Sequence, residues 1–261
     1  MIICVTCGVQ QFPNTQNCAV CNDERQYVGL GGQQWTTLED LRRTHRNTID
    51  QLEEHLFSIW TQPKFAIGQR CLLIQTSHGN ILWDCISLLD DATISQVREL
   101  GGISAIAISH PHYYSTLVEW SRAFGHVPVF IHRDDRRWVM RPDPCVTFWE
   151  GETLPLNPEI TLIRCGGHFE GGQVLHSSAG ALFTGDVIQV VPDRRWVSFM
   201  RSYPNYIPLP ATSVRRIVSA VGPFQFERLY GAWPKFEILS DAHAAVRRSA
   251  DRYINALQDP H

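Results

Sequence analysis

From about residue 65 onward, short apolar segments alternate with segments whose apolar residues recur every three or four positions. Continuous apolar runs of about four to eight residues are typical of buried strands, and longer periodic runs are typical of amphipathic helices. Strands interleaved with helices predict sheets that are covered by helices. The predicted strands are residues 71–75, 81–84, 103–109, 127–131, 160–164, 173–176, 181–184 and 226–230, and the predicted helices are 94–100, 115–124, 211–221 and 241–257.

Residues 36–60 show a single long helical pattern instead. Their apolar residues, from Leu38 to Ile59, recur near helical spacing, and either threonine at the start can cap a helix. Pro63 prevents the helix from continuing. The segment 31–64 is therefore predicted to be an amphipathic helix that links the N-terminus to the rest of the chain.

The composition is that of an ordinary globular protein. Hydrophobic residues make up 44% of the 261 residues and charged residues 19%, which argues against a disordered chain. A net charge of −3 gives no basic footprint for nucleic acid. No apolar run approaches the roughly 18 residues that span a bilayer, and the N-terminus lacks a secretory pattern. We expect a cytoplasmic protein that binds neither nucleic acid nor membranes.

Four cysteines form two CxxC pairs near the N-terminus, Cys4 with Cys7 and Cys18 with Cys21. Two such pairs present four thiolates that can close a tetrahedron around one zinc ion; disulfides or free thiols are the alternative. The pattern resembles zinc ribbons and the rubredoxin knuckle, so iron is a second candidate metal. Because the loop is too short to bury a core, the metal would supply its folding energy. Residues 1–30 are predicted to form a knuckle with a structural ion, through which a protein partner or second subunit would dock.

Three further motifs carry candidate metal ligands. His110 and His112 follow the apolar strand 103–109, and two imidazoles two residues apart on an extended backbone project from the same side. His168 lies in the glycine-rich turn GGHFEGG, and Asp186 follows the apolar strand LFTG. One HxH motif is weak evidence, but the three motifs together predict one metal site.

The order and spacing of these motifs resemble those of the metallo-β-lactamase superfamily. In that family a strand runs into HxHxDH, a GHxxG turn brings a third histidine, and a strand ending in GD brings a bridging aspartate. Further landmarks agree with the resemblance: ILWD at 81–84, FIH at 130–132 and the hairpin EGETL at 150–154. The resemblance covers residues 65–257 and implies an α/β fold, the αββα sandwich, for residues 65–261.

The chain departs from the family pattern at the second metal. The aspartate and final histidine of HxHxDH correspond to Tyr114 and Ser115, and the last histidine of the family corresponds to Ala232. All three histidines of the first site are present, whereas Asp186 alone remains of the second. Since a lone carboxylate does not hold a hydrated divalent ion tightly, a single metal is expected.

Three imidazoles with an open fourth position lower the pKa of a zinc-bound water toward 7. Asp186 would ligate the metal or act as the base for that water. Tyr114 would serve as a proton donor or oxyanion partner, or else fill the space of the abandoned site. Tyr113 is predicted to face the other way and pack. The aromatic loop 196–210 would either roof the site or pack against the following helix.

These assignments favour a mononuclear zinc hydrolase that acts on a small ester, thioester, lactone or related carbonyl substrate. An iron-dependent oxygenase is the first alternative, because His110, His168 and Asp186 make a two-histidine, one-carboxylate triad and persulfide dioxygenases of the superfamily use such a site. A catalytically inactive binding or scaffold protein is the second alternative, because three ligands are lost. The sequence does not indicate the substrate or the oligomeric state.

Overall fold

A computed structural model describes residues 1–258, and residues 259–261 at the end of the predicted catalytic domain lie outside the described residues. The N-terminal segment begins with a small antiparallel sheet in which β1 is the central strand. The third strand lies beyond residue 30, so the knuckle extends further along the chain than the sequence predicts. The strands are β1 Ile2–Cys4, β2 Gln10–Gln11 and β3 Trp35–Thr36.

The predicted helix over residues 36–60 is wrong. Helix α1 spans only Leu38–Thr44, capped by the Thr37 side chain, and the chain then forms strands β4 (Arg46–Glu53) and β5 (Leu56–Gln62). These strands pair antiparallel through a two-residue turn. The β-branched and aromatic residues of β5 suit a strand. Short apolar runs of this kind do not distinguish the two-residue repeat of a strand from the 3.6-residue repeat of a helix. Both strands belong to the first large sheet, so the segment 31–64 is not a helical linker.

The first large sheet has seven strands in the order β10-β9-β8-β7-β6-β5-β4. The pairs from β7 to β10 are parallel, and the pairs from β4 to β7 are antiparallel. Helices α2 (Asp91–Glu99) and α3 (Leu117–Ala123) lie in the connections that precede β8 and β9. The remaining strands are β6 Arg70–Ile74, β7 Ile81–Trp83, β8 Ala105–Ala107, β9 Val129–His132 and β10 Val146–Trp149.

The second large sheet has six strands, and two short hairpins interrupt its connection from the fourth strand to the fifth. The six strands of the sheet are β11 Thr153–Asn157, β12 Ile160–Arg164, β13 Gln173–Ser177, β14 Ala181–Gly185, β19 Arg228–Gly231 and β20 Glu237–Ile238. The four strands of the hairpins are β15 Gln189–Val190, β16 Val197–Ser198, β17 Met200–Ser202 and β18 Ile207–Pro208. Their order in the sheet is β11-β12-β13-β14-β19-β20, while β15 pairs with β16 and β17 with β18. Helices α4 (Ala211–Val221) and α5 (Ala242–Gln258) follow the prediction closely.

Side chains that alternate along the central strands divide the core into layers. On β6, Leu72 and Ile74 enter the cluster between the two sheets, which also holds Phe183 of the second sheet, whereas Leu73 faces the cluster that includes residues of α3. Leu182 on β14 packs against the cluster of α4 and α5. The result is the αββα sandwich that the sequence predicts. Among residues 1–258, none of the helices has the length and apolar character needed to cross a bilayer.

Candidate metal centre

His110 and His112 lie just beyond the carboxyl end of β8. The carboxylate of Asp84, at the end of the neighbouring strand β7, accepts a hydrogen bond from the Ser109 amide at 2.7 Å and fixes the exit of the chain. His110 is extended as predicted, with φ −170° and ψ 173°, but Pro111 then starts a short 3₁₀ turn through residue 113. The turn, and not a continuing strand, sets the direction of the second imidazole.

His168 lies in the loop between β12 and β13, where Gly166 and Gly167 have positive φ values of 68° and 83°. A β-carbon on Gly167 would lie 2.8 Å from the Ile217 side chain of α4, so this close approach requires glycine. The imidazole Nδ1 of His168 lies 3.0 Å from the Met200 carbonyl oxygen. Donation to that carbonyl leaves Nε2 with its lone pair free to ligate a metal.

Asp186 follows β14 and completes the cluster. Its Oδ1 atom lies 2.9 Å from Nε2 of His110 and 3.9 Å from Nε2 of His168, which in turn lies 3.3 Å from Nδ1 of His112. The four ligand atoms lie within 4.8 Å of one another, and all four side chains are buried. The structure therefore brings together the metal ligands that the sequence predicts.

The ligand atoms of this cluster are buried and poorly satisfied by hydrogen bonds among the described residues. His112 Nε2 has no partner, and His110 Nε2 and Asp186 Oδ1 have only each other, at 2.9 Å. Unsatisfied buried polar atoms are costly, and a bound cation would compensate those that face the centre. Three imidazoles and one carboxylate form a donor set that suits zinc or iron. The residues present thus fit a single metal ion.

The charges of the cluster also suit a metal. Burial lowers the pKa of His168 to about 4 and that of His112 well below its usual value. Burial alone would raise the pKa of Asp186, but the nearby histidines outweigh it and hold the pKa below its ordinary range. Burial opposes protonation of His110 as well, yet the Asp186 carboxylate raises its pKa overall. Neutral His112 and His168 beside an anionic Asp186 already have the protonation state that metal binding requires, and His110 would release its proton when the metal binds.

The positions of the missing second-site ligands are filled by other contacts. The Tyr113 ring lies 5.2 Å from the His110 ring, and its hydroxyl donates to the Ala232 carbonyl at 3.2 Å. The carbonyl of Ser115 accepts a hydrogen bond from the Gln10 amide of the N-terminal segment at 3.1 Å. The half of the site that lacks ligands is therefore packed with this chain's own residues.

The predicted orientations of Tyr113 and Tyr114 are reversed. Tyr114 lines a separate small cavity with Val9 and Gln10, and its buried hydroxyl has no hydrogen-bond partner among residues 1–258. Tyr113, which was expected to face away, lies against His110. A 3₁₀ turn advances about 120° per residue where a strand alternates by 180°, which explains the exchange. The structure does not bring Tyr114 to the metal cluster, and a role as proton donor has no geometric support.

The four N-terminal cysteines form a second cluster. All four are buried and unbonded, and the sulfurs of Cys4 and Cys21, like those of Cys7 and Cys18, lie 3.6 Å apart. A tetrahedral zinc ion with bonds of about 2.3 Å separates its sulfurs by about 3.8 Å. The side-chain amide of Gln11 donates to the Cys18 sulfur at 3.0 Å, as expected for a thiolate acceptor. The geometry fits a structural metal and not two disulfides.

A cavity of about 180 Å³ opens onto His112, His168 and Asp186. Tyr203 of the aromatic loop lies in its wall, whereas Phe199 of the same loop is buried against α4 and α5, so the loop both roofs the site and packs. Sequence reasoning missed most of the wall, because its residues are distant in sequence and follow no motif. These residues are Arg25, Gln26, Tyr27, Lys64, Ala66, Ile67, Pro204 and Trp233.

Comparison with known proteins agrees with this geometry. No protein-family model matches the chain. Solved structures share the fold at low sequence identity: the metallo-β-lactamase FIM-1 from Pseudomonas aeruginosa in its mono-zinc form has a TM-score of 0.61 at 13% identity, covering 82% of this chain and 97% of that one. The DIM-1 metallo-β-lactamase has a TM-score of 0.60 at 14% identity, covering 81% and 98%. A flavo di-iron protein mutant from Thermotoga maritima has a TM-score of 0.53 at 14% identity, covering 83% and 64%.

One curated relative is similar along almost the whole chain. The uncharacterized protein YmaE of Bacillus subtilis (strain 168) is 54% identical over 265 residues, which cover 98% of this chain and 96% of the relative. Identity at this level over both full lengths implies common descent and a common structure. The chain therefore belongs to the family of YmaE and has the metallo-β-lactamase fold.

Proposed function

We propose that the protein is a mononuclear zinc hydrolase that acts on an ester, thioester, lactone or related carbonyl compound. The observation that carries the proposal is the buried group of His110, His112, His168 and Asp186, whose ligand atoms converge below an open cavity. Zinc bound by such residues would supply a water of lowered pKa and polarise a carbonyl group. This chemistry needs metal ligands and a cavity beside them, and the proposal is supported by the four converging side chains and by the cavity of about 180 Å³.

The protein's own residues supply orientation and proton transfer. Asp186 is held by its Gly185-containing strand end, and its backbone carbonyl accepts a hydrogen bond from Tyr203 at 3.0 Å. Its carboxylate, anionic at neutral pH, can accept the proton released by the attacking water at an oxygen atom. The buried aromatic side chains around His110, including Phe169, exclude solvent from the His110 ring, which does not line the cavity.

The first test is elemental analysis of protein purified without added metal, combined with assays on a p-nitrophenyl ester, a lactone and a thioester. We expect about two zinc ions per chain, one for each ligand cluster. Hydrolysis should disappear with a chelator and return with stoichiometric zinc. A double His110→Ala, His168→Ala variant should retain one zinc ion and no activity.

Each other outcome contradicts the proposal in a distinct way. One zinc and one iron per chain, with oxygen consumption and no hydrolysis, would support the oxygenase. One zinc ion that is lost on cysteine substitution, with no activity, would support a binding protein. Unchanged metal content in the double histidine variant would show that the cluster is not the metal site.

Lys64 indicates a preference among the substrates. It lies in the cavity wall with an exposed side chain, whereas Arg25, the other cation of the wall, is already paired with Asp23 and Glu170. An ammonium group that has no ion-pair partner among residues 1–258 attracts an anionic substrate group at the cavity. We expect Lys64→Ala to raise KM for a carboxylate-bearing lactone about fivefold, and KM for a neutral ester less than about twofold.

Substitution of Lys235, the only other lysine of the sequence, provides the matched control. It is exposed and absent from the cavity wall, so Lys235→Ala should leave both KM values unchanged. Equal effects of Lys64→Ala on the charged and the neutral substrate would refute the electrostatic role. Steady-state kinetics at low and high salt test the electrostatic role directly, because salt screening should reduce the effect of Lys64→Ala on KM for the charged substrate.

A further inference from the structure

The N-terminal knuckle is joined to the metal centre through Arg25. Only 2% of this side chain is exposed, and its Nε atom donates to the His168 carbonyl oxygen at 2.6 Å. Its two terminal nitrogens lie 2.7 Å from Asp23 and 3.4 Å from Glu170. A buried guanidinium group whose three nitrogens all have polar partners is held in one position, unlike a mobile surface group.

The same guanidinium group contacts the aromatic ring on which the three histidines rest. It lies over Phe169 at 4.6 Å from the ring centroid. The Phe169 ring lies 5.6 Å from that of His110 and 5.1 Å from those of His112 and His168. Arg25 therefore touches the metal-binding loop both at a backbone carbonyl and through the ring packed beneath the ligands.

The chain around Arg25 is fixed on both sides. The Arg25 carbonyl accepts a hydrogen bond from Ser202 at 3.1 Å, and the Asn205 side chain donates to the carbonyls of Glu24 and Gln26, each at 2.9 Å. Cys21, the last cysteine of the knuckle, lies only four residues before Arg25 in the chain. Closure of the knuckle around its metal therefore restricts the position of Arg25 from the N-terminal side of the segment.

We infer that Arg25 is a positioning residue that makes metal binding at the histidine cluster depend on the folded cysteine knuckle. The knuckle is thus an integral part of the metal centre, and its following segment also forms a wall of the cavity. Loss of the knuckle metal, or oxidation of its thiols, would weaken the histidine site without unfolding the sandwich. This inference rests on the metal site of the proposed function and not on the reaction.

The test measures metal affinity at each cluster, with cobalt as the spectroscopic probe and zinc in competition with a chelator. Thiolate ligands give cobalt an intense charge-transfer band that imidazole and carboxylate ligands do not give, so the two sites are observed separately. We expect Arg25→Ala to weaken zinc binding at the histidine cluster about 10- to 100-fold and to leave the thiolate band unchanged. Arg25→Lys keeps the charge but loses the planar donor group. Its zinc affinity at the histidine cluster should lie between those of the wild type and Arg25→Ala.

The matched control is Arg137→Ala. Arg137 also pairs with Glu170, at 3.3 Å, but its side chain is 62% exposed. This variant should bind zinc as the wild type does. Cys18→Ser, which opens the knuckle, should weaken the histidine cluster as much as Arg25→Ala does. Should Arg25→Ala fail to fold, Arg25→Lys gives the same comparison.

Wild-type zinc affinity at the histidine cluster in both Arg25→Ala and Cys18→Ser would overturn the inference. An equal loss in Arg137→Ala would do so too, because it would assign the effect to Glu170. A wild-type protein that binds zinc at the cluster but hydrolyses nothing would refute the proposed function alone. A wild-type cluster that binds no metal would refute both.

Discussion

Replacing His168 with alanine is expected to lower kcat for hydrolysis by at least about a thousandfold. The imidazole Nε2 lies 3.3 Å from Nδ1 of His112 and 3.9 Å from Oδ1 of Asp186, so its removal leaves the ion short of one ligand. Metal activation of water and carbonyl contributes several kcal/mol to the barrier, and each ~1.4 kcal/mol is a factor of ten in rate. Metal analysis of the same sample should show one zinc ion fewer per chain.

The control for this experiment is His55→Ala. His55 lies in the turn between β4 and β5, and its side chain is 70% exposed. This variant should keep both metal ions, full activity and the wild-type melting temperature. If His168→Ala retains activity within about tenfold of the wild type and an unchanged metal content, the histidine cluster is not the catalytic centre.

Replacing Cys18 with serine is expected to reduce the free energy of unfolding by at least about 4 kcal/mol, a decrease in melting temperature of roughly 10 °C. The knuckle has little core of its own, and the buried sulfurs of Cys7 and Cys18 lie 3.6 Å apart. A hydroxyl group in place of one thiolate would lose the structural metal and leave three buried thiolates uncompensated. Denaturant unfolding with and without added zinc measures the effect.

Cys145→Ala separates the loss of a metal ligand from the loss of a buried thiol. Cys145 is buried in the same hydrophobic cluster but belongs to neither group of metal ligands. Its substitution should cost about 1 kcal/mol, and zinc should not change that value. Equal destabilisation by the two substitutions would mean that the knuckle holds no structural metal.

The sequence predicts the metal ligands well because their spacing is local. Each CxxC pair lies in one tight turn, and His110 and His112 lie within one short segment at a strand end. The chain positions of His168 and Asp186 at the ends of other strands follow from the fold that the motifs indicate. The αββα fold class is likewise confirmed, since apolar strands that alternate with helices indicate sheets covered by helices.

The prediction of a helix over residues 36–60 shows where local patterns are insufficient. Ile49 and Ile59 lie at a separation that a helix also allows, yet in the structure they are directly paired across β4 and β5. Hydrogen bonds to β6 then extend the first sheet, a contribution that no local pattern contains. The predicted orientations of the Tyr113 and Tyr114 side chains are wrong for a related reason. The 3₁₀ turn that starts at Pro111 replaces the two-residue alternation of a strand.

By itself, then, the sequence determined the fold class and the two groups of candidate metal ligands, and it predicts a single ion at the histidine cluster. The tertiary structure alone decided what surrounds those ligands. Arg25 contacts the carbonyl of His168 across 143 residues of chain, and Lys64 enters the same cavity from another loop. Such contacts depend on how whole elements pack, and packing between distant segments leaves no periodicity or spacing in the sequence.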